Sequence, residues 1–168
     1  MHYIFYFLQL VIPEHYATIA STPPVSVYER SYEEMNRNVA HQDKEASCMA
    51  KALYYEGRGE SKNNMTLIGL VILNRTKNPK YPNTVCGVVK ERGAFQYYPY
   101  LKYSKPKEHS RYLLAQSVAK DLLSGKHNGK MASSVLWFKQ CSYRSEFFTK
   151  LKLYGKQGSH CFFEEKRV

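Results

Sequence analysis

Glu56 and Glu60 are the residues whose type and spacing best fit acid–base chemistry. They flank Gly57-Arg58-Gly59, a short turn whose two glycines let the backbone bend sharply and approach a ligand. Glycosidases usually combine two carboxyl groups, one as the acid and one as a nucleophile or as the base for water. Both glutamates are therefore candidate catalytic residues. Glu60 has an alternative, structural role, in which it pairs with Arg58 or Arg75 to hold the turn.

A helix that ends at Glu56 would suit an acid. Asp43 is a candidate N-cap, Gly57 follows the last turn, and apolar residues recur at helical spacing between them: Ala46, Met49, Ala50 and Leu53. The negative end of the helix dipole disfavours an ionised carboxylate there and raises its pKa. The pattern therefore predicts that Glu56 stays protonated closer to neutral pH than an ordinary glutamate and can donate a proton.

The rest of the pattern predicts an α+β fold that is mainly α. A second helix is expected from Lys62 to Thr76, apolar on most sides and therefore buried. A third helix is expected from Ser110 to Leu123. It has an apolar face, and Gly125 should end it. Short strands are expected at Ser133–Phe138 and His160–Phe163, and residues 81–89 should form a loop that leads into a buried segment.

The first 42 residues are expected to form an N-terminal arm or linker, because residues 13–42 show no sustained apolar periodicity. Residues 3–12 are apolar, but Gln9 interrupts the run and it is too short to span a bilayer. No Lys or Arg precedes it, so it does not fit a standard signal peptide. One folded domain is expected from residue 43 to residue 168.

The net charge indicates a class of partner, and the cysteine spacing bears on metal sites and disulfides. The net charge of +11, from 25 Lys and Arg against 14 Asp and Glu, favours an anionic polymer without saying which one. The four cysteines have no C-x-x-C spacing, which argues against a zinc or redox pair. They form two disulfides in any of three pairings, or they stay reduced and pack as small hydrophobes.

Three segments carry a resemblance to a known family. Residues 48–61 read CMAKALYYEGRGES, residues 68–75 read IGLVILNR, and residues 81–89 read YPNTVCGVV. In order and spacing they closely resemble the cell wall hydrolase family that includes spore-cortex-lytic enzymes. Gly57 replaces the alanine usual in that family. The resemblance covers roughly residues 48–163, with weaker matches at Phe95–Tyr98 and His160–Phe163.

This resemblance implies a lysozyme-like helical catalytic domain at residues 43–168. It implies cleavage of the glycan bond between N-acetylmuramic acid and N-acetylglucosamine, with Glu56 as the acid and without a metal or organic cofactor. A lytic transglycosylase, in which one carboxyl group acts first as acid and then as base, is favoured over lysozyme-like hydrolysis. The partners implied are bacterial peptidoglycan and anionic cell-envelope polymers.

Further site residues are expected around the two glutamates. Aromatic and histidine side chains are candidates for substrate binding: Tyr55, Tyr97, Tyr98 and His160. Each has a structural alternative, which for His160 is a hydrogen bond to the backbone. Polar residues near the turn and at the end of the second helix are candidates for support: Arg58, Asn74 and Arg75.

Two alternatives stay open. An amidase that cuts between sugar and peptide would need a zinc site or a cysteine nucleophile with a positioned histidine, and the histidines lack H-E-x-x-H spacing. A non-enzymatic basic module would bind wall polymer or nucleic acid. For the enzyme, we expect a monomer with no nucleic-acid partner and no membrane span. It would act on the wall in the periplasm or outside the cell, as a bacterial exported enzyme or a phage endolysin with antimicrobial action.

Overall fold

The computed structural model describes residues 25–91, 95 and 106–166, with side chains from residue 27 onward. Five helices and three strands follow one another within these residues: α1 Val25–Gly57, α2 Lys62–Thr76, α3 Val85–Lys90, α4 His109–Leu123, β1 Val135–Gln140, α5 Glu146–Thr149, β2 Leu151–Gln157 and β3 His160–Glu165. The predicted class, mainly α with a small sheet, is confirmed. Backbone contacts divide the chain after Asn38.

Helix α1 begins eighteen residues before the predicted start at Asp43, at Val25. The prediction of an irregular arm is therefore wrong for residues 25–42, while residues 1–24, including the apolar run at 3–12, lie outside the described residues. Residues 25–42 contain no proline or glycine, so nothing in them breaks a helix. Their side chains from residue 27 to residue 44 are exposed, so no buried face made the helix evident in the sequence.

Helices α2 and α4 form the centre of the core and confirm the two helices predicted there. The α2 side chains Met65, Ile68 and Ile72 are fully buried, and α2 packs against α4, α3 and β1. Ser61 caps α2 by accepting a hydrogen bond from the Asn64 amide at 3.2 Å. Gly69 allows the close approach of α4, because a Cβ at this position would overlap Leu122.

Helix α3 is the short buried segment expected after the loop at residues 81–84. Thr84 is its N-cap, and the Glu45 carboxylate on α1 accepts a hydrogen bond from the Val85 amide at 2.6 Å. A disulfide between Cys48 and Cys86 joins the same two helices. Together these contacts hold α3 against α1 two to three turns before Glu56.

The three strands form an antiparallel sheet in the order β1-β3-β2. Strands β1 and β3 confirm the two predicted strands, and a second disulfide, Cys141–Cys161, links the end of β1 to β3. Strand β2 was not predicted. It is an edge strand whose side chains are mostly exposed, so it lacks the apolar alternation that identifies a half-buried strand.

Candidate active site

Glu56 lies in the last turn of α1, as predicted, and its side chain is partly buried. Burial raises its pKa from 4.5 to about 7, since a charged carboxylate loses hydration there, and the positive charge of Arg75 opposes this rise. A large fraction of Glu56 is therefore protonated at neutral pH. A carboxyl group in this state can give its proton to a leaving oxygen.

The turn that follows Glu56 is held from two sides. The Glu60 amide donates to the Gly57 carbonyl at 2.9 Å, which closes the turn. From α4, the Arg111 guanidinium donates to the carbonyl oxygens of Arg58 and Glu60. Arg111 was not predicted as a site residue, although it holds the backbone next to the candidate acid.

Glu60 is in the opposite electrostatic state. Hydrogen bonds from the Ser159 hydroxyl and the Asn64 side chain lower the pKa of Glu60, and the Ser159 amide adds a bond of 3.2 Å to Oε1. The predicted pairing of Glu60 with Arg58 or Arg75 is not among the causes of this shift and stays a prediction. The Arg58 guanidinium lies 3.5 Å from the Glu108 carboxylate, and the Glu60 carboxylate connects Asn64 of α2 to the β2–β3 turn.

The β2–β3 turn reaches Glu60 because residue 158 is a glycine. Gly158 has a φ of +54°, a region that favours glycine, and a Cβ there would overlap Glu60 Oε2. The positive φ therefore favours glycine at this position, and any other side chain would also displace the Glu60 carboxylate. The sequence gives a weak signal for it, since glycine in a polar segment between two strands is typical of a hairpin turn.

His160 is buried, with 2% of its surface exposed, and its ring stands edge-on to Phe138. Its Nδ1 lies 3.0 Å from Asn64 Nδ2 and 3.9 Å from Glu60 Oε1. The Asn64 side-chain NH2 group also donates to Glu60, so it is the donor here and His160 Nδ1 is the acceptor. The neutral ring therefore carries its proton on Nε2. Burial lowers the pKa of His160. The hydrogen bond with Asn64 joins His160 to a side chain, whereas the structural role considered from the sequence was a hydrogen bond to the backbone. The burial of the ring favours a structural role over direct substrate binding.

Asn74 and Arg75 tie the end of α2 to β1 and the residues just before it. Asn74 Nδ2 donates to the carbonyls of Ala132 and Val135 at 2.9 and 3.0 Å. Arg75 Nε donates to the Leu136 carbonyl at 2.7 Å, and the Arg75 side chain is buried. These contacts agree with the supporting roles predicted for both residues.

Two tyrosines, Tyr54 and Tyr55, precede Glu56 in α1. The fully buried Tyr54 hydroxyl accepts hydrogen bonds from the amides of Lys107 and Glu108, both at 3.1 Å, which anchors the chain just before α4. Tyr55 is partly exposed, and its ring meets that of Tyr54 edge to face at 5.0 Å. Tyr97 and Tyr98 lie outside the described residues, so sugar contacts of all three predicted tyrosines stay predictions.

Metal-binding clusters and membrane-spanning helices are absent from the part of the chain that the structure describes. There, His, Cys, Asp and Glu side chains form no cluster of three that could hold a metal ion. None of the helices in this part combines the length and the apolar character needed to cross a bilayer.

Known proteins resemble this chain in sequence. A model of the cell wall hydrolase family matches residues 59–163, a match that begins three residues after Glu56. A spore cortex-lytic enzyme of Bacillus subtilis strain 168 is 47% identical over 47 residues, 28% of this chain and 15% of that protein. One from Halalkalibacterium halodurans is 38% identical over 60 residues, 36% of this chain and 18% of that protein. The matched segments thus span less than a fifth of these curated relatives.

Two solved structures share the fold. The catalytic domain of the Bacillus cereus SleB protein has a TM-score of 0.60 and 27% identity, over 73% of this chain and 91% of that one. The catalytic domain of a germination-specific lytic transglycosylase, SleB from Bacillus anthracis, has a TM-score of 0.60 and 28% identity, over 71% and 93%. These neighbours confirm the lysozyme-like class. Since the family model covers more than half of its residues, this chain belongs to the cell wall hydrolase family.

Proposed function

We propose that the protein cleaves the glycan strand of peptidoglycan between N-acetylmuramic acid and N-acetylglucosamine, with Glu56 as general acid. The observation that carries this proposal is a partly buried carboxyl group at a helix C-terminus whose pKa is about 7. Membership of the cell wall hydrolase family supports the choice of polymer. We assign the catalytic domain to residues 43–168.

The reaction begins with protonated Glu56 beside the glycosidic oxygen. Its proton passes to that oxygen as the bond to the muramyl anomeric carbon breaks, and the electron pair leaves with the N-acetylglucosamine. Positive charge develops on the muramyl ring, opposite the new Glu56 carboxylate. The carboxylate then takes the proton of the muramyl 6-hydroxyl as this oxygen bonds to the anomeric carbon, which gives a 1,6-anhydro product and restores the acid.

The state of Glu60 supports transglycosylation over hydrolysis. A hydrolase needs a second carboxylate that is free to act as a nucleophile or to activate water. The Glu60 carboxylate accepts hydrogen bonds from Ser159 and Asn64, which hold it against the β2–β3 turn and weaken it as a base. We therefore assign Glu60 a positioning role and leave both proton transfers to Glu56.

Charge and disulfides support a place of action at the wall. The net charge of +11 suits the anionic polymers of the cell envelope. The two disulfides, Cys48–Cys86 and Cys141–Cys161, suit a protein that works outside the reducing cytosol. We propose that the protein acts as a monomer on peptidoglycan in the periplasm or outside the cell.

Digestion of purified peptidoglycan, followed by mass analysis of the released muropeptides, tests the proposal. The wild-type protein should release 1,6-anhydro products that borohydride does not reduce. Glu56→Gln should fold and release none, whereas Glu146→Gln, which changes an exposed carboxylate, should behave like the wild type. Reducible products would indicate hydrolysis, free stem peptides would indicate an amidase, and wall binding without products would indicate a binding module.

A further inference from the structure

The β-sheet has an outer face that points away from the hydrophobic core. Phe162 belongs to the core, and Phe138 pairs with it on the neighbouring strand and packs against the core too. Trp137 and Phe163 form the next pair of the same two strands. Because successive residues of a strand point to opposite sides of a sheet, Trp137 and Phe163 lie on the outer face.

Helix α5 packs on this outer face and leaves an open groove of about 540 Å³ beside it. The Phe148 ring of α5 lies 4.9 Å from the Phe163 ring, and both line the groove. Tyr143 lines it as well and is 54% exposed. Ligand sites are typically lined by aromatic rings with a few polar groups, and a tyrosine offers a sugar both an apolar face and a hydroxyl.

The groove carries an excess of positive charge. Two cations line it, Lys139 and Arg144, against one carboxylate, that of Glu146. This carboxylate is 87% exposed and lies 3.5 Å from the Lys150 ammonium, so it faces solvent and Lys150. Among the ion pairs of the described residues, none joins a carboxylate to Lys139 or Arg144. The groove therefore favours an anionic ligand.

The loop that forms one wall of the groove is held in place before any ligand binds. The Lys139 ammonium donates hydrogen bonds to the carbonyls of Gln140, Cys141 and Tyr143, at 3.3, 3.3 and 2.6 Å. The disulfide between Cys141 and Cys161 fastens the same loop to β3. A wall that is already ordered loses little conformational entropy when a ligand binds to it.

The groove adjoins the turn that Glu60 holds. The Cys141 amide donates to the Ser159 carbonyl at 2.8 Å, and the Ser159 amide donates to the Glu60 carboxylate at 3.2 Å. Ser159 therefore contacts both a residue of the groove and Glu60, which lies four residues after the proposed acid, Glu56. A polymeric substrate extends beyond the bond that is cut, so its other units can bind outside the catalytic site.

We propose that this groove is a second binding site for peptidoglycan, in which the Tyr143 ring contacts a sugar and the Arg144 guanidinium pairs with a carboxylate of the peptide stem. The inference rests on the proposed function, because it concerns further units of the same polymer. It assigns the protein a substrate preference: strands whose stems keep free carboxylates bind more tightly than neutral glycans.

Trp137 gives a direct readout, since it is the one tryptophan of the chain and its ring lies 6.2 Å from the Phe147 ring of α5. Its indole N–H signal should be followed by NMR while N-acetylglucosaminyl-N-acetylmuramyl tetrapeptide is added to the wild-type protein. This disaccharide lacks the bond that Glu56 is proposed to cut. We expect a saturable shift of the signal. Neutral tetra-N-acetylchitotetraose should bind about two- to fivefold more weakly, as expected for the loss of an exposed ion pair.

Two variants of exposed groove residues, Tyr143→Ala and Arg144→Gln, should each weaken binding of the tetrapeptide probe by about two- to fivefold. Arg144→Gln should also remove the preference over the neutral glycan. Tyr32→Ala and Arg37→Gln, which change exposed residues of α1, are the matched controls and should bind like the wild type. On intact peptidoglycan the two groove variants should raise KM with little change in kcat.

The inference would be overturned by an unshifted Trp137 signal, by equal binding of the neutral glycan, or by wild-type binding in both groove variants. A shift caused by raising the protein concentration alone would also overturn it, since the outer face would then pair with a second copy of the chain. A wild-type protein that bound the probe but released no muropeptides would refute the proposed function and leave this binding site in place.

Discussion

Replacing Glu56 by glutamine should change the stability of the protein in a pH-dependent way. In the folded protein the pKa of Glu56 is about 7, against an ordinary value of 4.5. The folded state therefore binds this proton more tightly than the unfolded state does. The stabilisation is fully present below pH 4.5 and is lost as the pH rises through 7. Glutamine is neutral at every pH, so the Glu56→Gln variant does not lose this stabilisation as the pH rises.

The size of the effect follows from the two pKa values. Each pH unit between them is worth about 1.4 kcal/mol, so folding of the wild type loses at most about 3 kcal/mol between pH 4 and pH 8 through this one group. At pH 4 the neutral acid and the neutral amide are nearly equivalent. At pH 8 we expect Glu56→Gln to be more stable than the wild type by up to about 3 kcal/mol.

Urea denaturation at pH 4, 6 and 8 measures the difference directly, without a substrate. Glu34→Gln is the matched control, because it changes an exposed carboxylate on the same helix and should shift stability equally at all three values. A stability difference between Glu56→Gln and wild type that stayed constant with pH would show that Glu56 is not desolvated. It would remove the physical basis for Glu56 as an acid.

Three further predictions concern the turn, the disulfides and the charge. Gly158→Ala should cost at least about 1–2 kcal/mol and reduce muropeptide release, since φ is positive and a Cβ meets Glu60; Gly155→Ala, with open space around it, is the control in the same measurements. The disulfides close loops of 38 and 20 residues, so replacing both cysteines of Cys48–Cys86 by alanine should lower the free energy of unfolding by about 4 kcal/mol, and of Cys141–Cys161 by about 3 kcal/mol. Urea denaturation measures both values, and a variant as stable as the wild type would contradict this. Binding to purified cell walls in a sedimentation assay should weaken from low to high salt, because exposed charges are screened beyond about 8 Å at physiological strength; binding insensitive to salt would make the net charge irrelevant.

The sequence predicts those elements whose burial is periodic. Helices α2 and α4 were predicted to within a residue, because each presents an apolar face to the core and ends at a recognisable cap or glycine. The first half of α1 and strand β2 were not predicted, since both expose most of their side chains. In such segments polar residues satisfy either conformation, and no hydrophobic pattern selects one.

Part of the candidate site could also be predicted from the sequence, and part could not. The position of Glu56 at a helix end follows from local spacing, and so does the turn after it. Ser159 lies 99 residues further along the chain than Glu60, and only the folded domain brings the two together. The pairing Cys48–Cys86 and Cys141–Cys161 also depends on which elements become neighbours, so spacing alone left three pairings open.

Glu56 and Glu60 show how two identical side chains, four residues apart, acquire different chemistry. Burial is the larger of the two causes that act on the pKa of Glu56, so the proton is retained. Glu60 lies beyond the turn and meets two side-chain donors, so its ionised form is favoured. Environments that push two carboxyl groups apart in pKa separate their roles. Here they leave Glu56 as the group that can exchange a proton near pH 7, and they make Glu60 the anion that joins the β2–β3 turn to the start of α2.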